Sequence, residues 1–487
     1  MHRQGLCRAI ALASGMAVVS SAFGQWVTFT DETASRLTLS TVSSSDPEEK
    51  DIIAADVDHD GDLDLIVVRK EPFSNVGPHD DVLLMNEGGV LVDRTVEFGF
   101  DAGPSDARDV QCADLTGDGW EDVIICTTFN SPIRLYVNQG EQGGVWQGFA
   151  DETGVRLGTV AESSRLYCAV GVGDVTGDDM PDLFFSNYNG GDDLLYINNG
   201  SGSFTDETAA RMGSYANSAF GTSNMIVDID EDGDNDIIKL TTLFNQPPFD
   251  GGVYVLWNDG TGDFNNLPFQ RINASQPYMF MLEDFNGDDL LDMYVVSDQD
   301  DEIYLTTSVV DDTDWNYTLT SPSSANRTGG FGGNLRTVDI DNDGDMDIAV
   351  GPIDTDIANC GVGAQMAFLR NNGTGGLSDP YNNGPTQNFH TEAHDFEFID
   401  LNGDGCQDMV LAMCTGYRVL IQNGCTTPPC NDADLAEPFG ELNFSDVVAF
   451  LTAFGSMAPE ADLATPFGEW NFSDVVAYLG AFGAGCP

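Results

Sequence analysis

Asp56–Asp64 reads DVDHDGDLD, and an apolar run, LIVV, follows at 65–68. Carboxylates at alternate positions gather oxygen atoms around one point, the environment a hard cation such as Ca²⁺ requires, and position 7 can add a backbone carbonyl. Gly61 at position 6 lets the loop turn back through positive φ. The pattern recurs as DLTGDGWED at Asp114–Asp122, DVTGDDMPD at Asp174–Asp182 and DIDEDGDND at Asp228–Asp236. It returns as DFNGDDLLD at Asp284–Asp292, DIDNDGDMD at Asp339–Asp347 and DLNGDGCQD at Asp400–Asp408. The seven starts lie 58, 60, 54, 56, 55 and 61 residues apart, so the period is structural. Asp179 and Asp289 replace the position-6 Gly in two copies, and Asp tolerates positive φ better than most residues.

Positions 1, 3, 5, 7 and 9 are the candidate calcium ligands, position 7 through its carbonyl. In the first three copies they are Asp56, Asp58, Asp60, Asp62 and Asp64; Asp114, Thr116, Asp118, Trp120 and Asp122; and Asp174, Thr176, Asp178, Met180 and Asp182. In the next two they are Asp228, Asp230, Asp232, Asp234 and Asp236, then Asp284, Asn286, Asp288, Leu290 and Asp292. The last two supply Asp339, Asp341, Asp343, Asp345 and Asp347, then Asp400, Asn402, Asp404, Cys406 and Asp408. Without cations, the carboxylates of one loop repel each other at close range, so structural Ca²⁺ is expected in about seven sites. EF-hands share this spacing but have helical flanks and a Glu at position 12; these flanks read as strands.

The other copies precede VIIC at 123–126, LFFS at 183–186, IIKL at 237–240, MYVV at 293–296, IAVG at 348–351 and MVLA at 409–412. A second strand-like run often follows and ends in Asn and Gly, as in VLLMNEGG from Val82 and LLYINNG from Leu194. Three or four strands in under about 60 residues make one small sheet, and radial repetition of such sheets gives a β-propeller. Seven copies predict seven blades over residues 25–424. FTDETA ends one unit at 204–209 and recurs at 29–34, ahead of the first loop, while the seventh unit has no such strand after Tyr417–Gly424. The N-terminal strand is therefore expected to complete the last blade and hide both sheet edges.

These loops ahead of apolar strands resemble the FG-GAP/VCBS repeat family, similar to the integrin α-subunit propeller, over about residues 26–424. The resemblance implies a calcium-stabilised seven-bladed propeller that serves as a binding or adhesion platform.

Residues 434–454 (DLAEPFGELNFSDVVAFLTAF) and 462–482 (DLATPFGEWNFSDVVAYLGAF) repeat at an offset of 28, after a linker at 425–433. Val447, Phe450, Leu451 and Phe454 fall on one helical face, matched by Val475, Tyr478, Leu479 and Phe482, which predicts a two-helix pair. The duplicate at 434–487 resembles the GC-type dockerin-like module of secreted planctomycete proteins, down to its closing Gly-Cys-Pro. Gly440, Asn443 and Asp446, and Gly468, Asn471 and Asp474, match part of a dockerin loop. Ala436, Pro438 and Phe439 depart from it where ligands would stand. The resemblance implies a docking or surface-retention tag for an unidentified receptor. The predicted fold class is thus all-β, a seven-bladed propeller with calcium loops, plus a small α-helical dockerin-like domain.

Asp and Glu number 80 against 18 Lys and Arg, a net charge of −62. So few cations exclude a duplex nucleic-acid binder and disfavour docking on an anionic membrane. With 41% hydrophobic residues the chain can still bury a core. Arg3 and Arg8, the apolar run Ala9–Ser20, and Ala22 and Gly24 before Gln25 read as a signal peptide over residues 1–24. No stretch is long enough to span a membrane, so a secreted or cell-surface location is expected. Nine of 10 Cys outlast the signal, and spacing suggests the pairs Cys112–Cys126, Cys406–Cys414 and Cys430–Cys486.

Enzyme signatures are sparse. His390 and His394 with Glu392 between them do not form a zinc-protease motif, and there is no nucleophile elbow, P-loop or dinucleotide fingerprint. Lys50, Arg108, Cys168, Thr222, Tyr278, Gly333 and His394 stand six residues before the loops and would ring one channel mouth. Arg108, Arg165, Tyr167, Tyr278 and His394 are the candidate polar-aromatic patch for a glycan or peptide. The leading expectation is a non-enzymatic binding module for extracellular glycan or protein. A dockerin-tagged polysaccharide lyase or glycoside hydrolase, and a purely structural surface protein, are the alternatives.

Overall fold

A computed structural model describes residues 26–40, 49–70, 77–129, 131–158, 166–243, 247–272, 276–297, 301–310, 313–320, 334–351, 366–378, 393–413, 416–423, 433, 444–456, 461, 463 and 471–484. The predicted signal peptide, Arg165, Gly333, Cys414, Cys430, Cys486 and most of the linker lie outside these residues.

Seven sheets follow one another along the chain, antiparallel except where Leu37–Thr38 pairs parallel to Leu91–Asp93 in the first, and each blade's inner strand leads into one acidic loop. The inner strands are Glu49–Ala55, Ala107–Ala113, Tyr167–Gly173, Gly221–Val227, Pro277–Glu283, Leu335–Val338 and Ala393–Ile399, of blades 1 to 7. The second strands, such as Asp122–Thr127 and Asp182–Asn187, are buried along their whole length. Continuous apolar runs suit them because neighbouring blades cover both faces.

The ring closes as the repeated FTDETA predicts. Phe29–Asp31 pairs with Gly416–Gln422 in the register Phe29 to Gln422, and becomes the outer strand of blade 7. Seven apolar clusters then fill the blade-to-blade seams, one per seam. The seam between blades 7 and 1, for example, buries Leu65, Val67 and Leu84 against Leu401, Val410 and Val419.

Two polar latches recur across the seams. Asn138, Asn198, Asn258 and Asn371 each donate Nδ2 to the position-2 carbonyl of the preceding blade's loop, at Val57, Leu115, Val175 and Phe285, over 2.8–2.9 Å. Gln422 does the same to Ile340. Arg36, Arg156 and Arg211 pair with the Glu four residues earlier and donate Nη1 to Gly89, Ser201 and Thr261 of the next blade. The recurring Asp-Glu-Thr-x-x-Arg sequence is therefore a seam fastener.

The C-terminal duplicate forms two helices, Phe444–Ser456 and Phe472–Ala484. Phe450 stacks on Tyr478 at 4.0 Å, and Val447, Phe454, Val475 and Phe482 pack around them. Leu451 and Leu479 do not join this contact; both are 59% exposed. Each lies about 100° round its helix from Phe450 or Tyr478, and one helix-on-helix contact covers a narrower stripe than that. Asn471 and Asp474 cap the second helix, with Asp474 Oδ2 accepting from the Asn471 amide at 2.7 Å. No helix among the described residues is long and apolar enough to cross a membrane.

Cys112 and Cys126 are free thiols, which corrects the first suggested disulfide. The strand register places Cys112 opposite Val123 and Cys126 opposite Asp109, three positions out of step. Cys406 is disulfide-bonded to a residue outside the described set.

Candidate functional site: the acidic loops and the central channel

Each nonapeptide closes the first hairpin of its blade in one register. The residue before the loop pairs with the position-9 Asp in all seven blades, from Ala55 with Asp64 to Ile399 with Asp408. Inside the loop, position 1 accepts the position-6 amide in every copy, as Asp56 Oδ2 does from Gly61 at 3.2 Å and Asp174 Oδ2 from Asp179 at 2.6 Å. Position 5 accepts the position-7 amide in every copy, as Asp118 does from Trp120 at 3.1 Å. Position 6 has positive φ throughout, 99° at Gly61, 67° at Asp179 and 69° at Asp289. Asp is thus accommodated at position 6, as expected.

The position-9 Asp has a second task. Asp122 Oδ2 accepts the Leu115 and Thr116 amides at 3.0 and 3.1 Å, and Oδ1 accepts the Asn138 amide at 2.9 Å. Equivalent bonds bind Asp64, Asp182, Asp347 and Asp408 to loop and third strand. One carboxylate therefore ties the loop to the strand that carries the seam latch.

The loops differ in acid content. Asp56, Asp58 and Asp64, then Asp228, Asp230 and Asp232, then Asp339, Asp341 and Asp347, each bring three carboxylate oxygens within 4.8 Å of one another. These are loops 1, 4 and 6, the copies with Asp at position 3. Asp228 Oδ1, Asp236 Oδ2 and Asp341 Oδ1 are buried without a hydrogen-bond partner. Converging hard oxygens with unmet acceptors fit a bound cation. The local energetics agree: burial, with Asp58 and Asp60 adding like charge, pushes Asp64 up to about 8. Burial likewise pushes Asp122 up to about 7 and Asp236 to about 8. Loops 1 and 2 also touch: His59 stacks on Trp120 at 4.1 Å and bonds Glu121 at 2.9 Å.

The seven inner strands enclose a central cavity of about 340 Å³. β-bulges interrupt five of them, and Arg108, Cys168, Tyr278 and His394 are inserted residues. Arg108 reaches across the channel from blade 2, and its Nη2 donates to the Tyr278 hydroxyl of blade 5 at 3.2 Å. Those two members of the predicted patch meet. Tyr167 instead packs into the seam of blades 2 and 3, and His394, 1% exposed, does not line the cavity.

A half-buried ionic cluster lies one residue further along the strands. Asp51, Asp109 and Asp395 each stand five residues before a loop, where reading the ring at six residues passed them by. Arg336 donates to Asp395 at 2.9 Å, Glu397 at 3.0 Å and the Ile52 carbonyl at 2.7 Å. The Ile52 amide is shared between Asp51 and Asp395 at 3.1 and 2.9 Å, and Asp109 accepts the Val170 amide at 2.7 Å. Burial and then the charge of Asp395 hold Asp51 well above the usual carboxylate range, and burial pushes Asp109 up to about 6. The cluster joins blades 6, 7, 1 and 2 from inside.

Comparison with known proteins bears on the loops first. Residues 114–185 and 174–238, which span loops 2 to 4, match the FG-GAP-like repeat family. The chain carries FG-GAP-like repeats. Among solved structures, similarity runs to a lectin of Agrocybe aegerita described as recognising non-reducing terminal N-acetylglucosamine, at 17% identity and TM-score 0.42, covering 68% of this chain and 79% of that one. The V. cholerae biofilm matrix protein Bap1 aligns at 12% identity and TM-score 0.36, over 81% of this chain and 64% of its own. The BBS1N chain solved with ARL6DN aligns at 10% identity and TM-score 0.41, over 81% and 96%. No curated protein sequence matches. The seven-bladed arrangement rests on the sheet topology and the seven filled seams, not on these distant likenesses.

Proposed function

We propose that this chain is a secreted, calcium-loaded β-propeller that binds extracellular glycan or protein without catalysis and is held or sorted by its dockerin-like tail. One observation carries the reading: the same acidic loop, folded by the same hydrogen bonds, stands at the head of all seven blades, and five of the seven are latched to the next blade. Calcium bound by the carboxylates at positions 1, 3, 5 and 9, with the position-7 carbonyl, would neutralise the crowded oxygens and stiffen the rim. A stiff rim suits a binding module, because contacts made by rigid loops lose little conformational entropy. On the terminal helices, Val448, Leu451, Phe472, Val476 and Leu479 face solvent, which supports a docking role for the tail.

The test is a glycan array with a reducing-sugar release assay, each with and without EDTA. Calcium-dependent retention without sugar release is the expected result. Release of reducing ends would replace the reading with an enzyme, and neither retention nor release would leave a structural surface protein.

A further inference from the structure

Loops 1, 4 and 6 carry acids at positions 1, 3, 5, 7 and 9, and in loop 6 a guanidinium lies against them. Arg370 Nη2 lies 2.8 Å from Asp341 Oδ2 and 2.7 Å from Asp343 Oδ2, bridging positions 3 and 5. Trp26 Nε1 also donates to Asp341 Oδ2. The hydrogen bonds align the three blades without ambiguity. Asn86, Asn258 and Asn371 each give their amide to the position-9 Asp, at 2.8 Å in all three. The preceding residue is Met85 in blade 1, Trp257 in blade 4 and Arg370 in blade 6. The first two are buried apolar side chains; the third is a guanidinium turned onto the loop.

We propose that loop 6 carries its own cation, the Arg370 guanidinium, in the place where loops 1 and 4 take a divalent ion. The assignment rests on the calcium reading for those two loops. A guanidinium offers planar, paired donors that two carboxylate oxygens can share, and it keeps its charge at any accessible pH. A divalent ion entering loop 6 has to displace those contacts, so its affinity there falls below that of loops 1 and 4. The ring then has one loop whose neutralisation does not depend on the surrounding calcium. It lies beside the closing blade, where Trp26 leads into the strand Phe29–Asp31.

Arg370→Met gives blade 6 the residue blade 1 already has, and Arg370→Lys keeps the charge. Calcium bound per chain is counted by equilibrium dialysis at low micromolar free calcium, and each protein is melted in EDTA. Arg370→Met is expected to bind one more calcium than wild type and to melt several degrees lower in EDTA, with calcium restoring the difference. Arg370→Lys keeps the wild-type count. Equal, non-zero counts for wild type and Arg370→Met overturn the proposal. If neither binds calcium, the calcium reading falls and the EDTA melts decide the role of Arg370: equal melts overturn that as well.

Discussion

Single residues in this chain answer to two demands, and position 9 of the loop shows it best. Read from the sequence, Asp122 is one more metal ligand; in the structure both its oxygens also hold backbone amides. Asp122→Asn turns an NH₂ donor towards one of those amides, leaving buried polar groups unmatched at a cost of about 1–3 kcal/mol. The urea midpoint measured in EDTA should drop accordingly, and an unchanged midpoint would show the bracket to be idle. Position 6 was legible in advance because φ there follows from loop geometry alone, Asp179 and Asp289 included. The Arg336 cluster was not: a β-bulge shifts the register at the start of the inner strands, so side chains near the bulge cannot be assigned by counting.

At the scale of elements, the inner strands share the pH response with the position-9 carboxylates of the loops. Asp51 and Asp109 are raised above their ordinary value of 3.8, by burial foremost, so the folded state holds protons that the unfolded chain has released. Their stabilising contribution is complete below pH of about 4 and is lost as pH rises through the folded values, about 6 for Asp109. In EDTA the melting temperature should therefore fall from pH 5 to pH 8. Asp51→Asn mimics the protonated side chain and should melt above wild type at pH 8; a lower melt would contradict the assignment. The strands themselves were readable, since apolar runs after each loop define them. The helical pair was readable only in part, because periodicity marks an apolar face but not how much of it a single partner covers, as Leu451 and Leu479 show.

The molecule as a whole is a ring of seven separate sheets, and its closure depends on a short strand far from its partner in sequence. Deleting residues 26–40 removes Phe29–Asp31 and exposes the edge Gly416–Gln422, so the truncated chain should self-associate on size-exclusion chromatography. A monomer with an unchanged melt would mean that the closing strand is dispensable. Blade number and closure were both legible, because seven loops and one displaced FTDETA suffice to count them. The seam latches were not, since their partners lie a blade away. On the proposed calcium reading, those latches would turn loop neutralisation into ring stability. A site filled at about 100 times its Kd adds about 2.7 kcal/mol. Thermal melting of the full chain in excess EDTA against excess calcium tests this most directly: the account predicts a midpoint many degrees lower in EDTA, and coincident melts would contradict it.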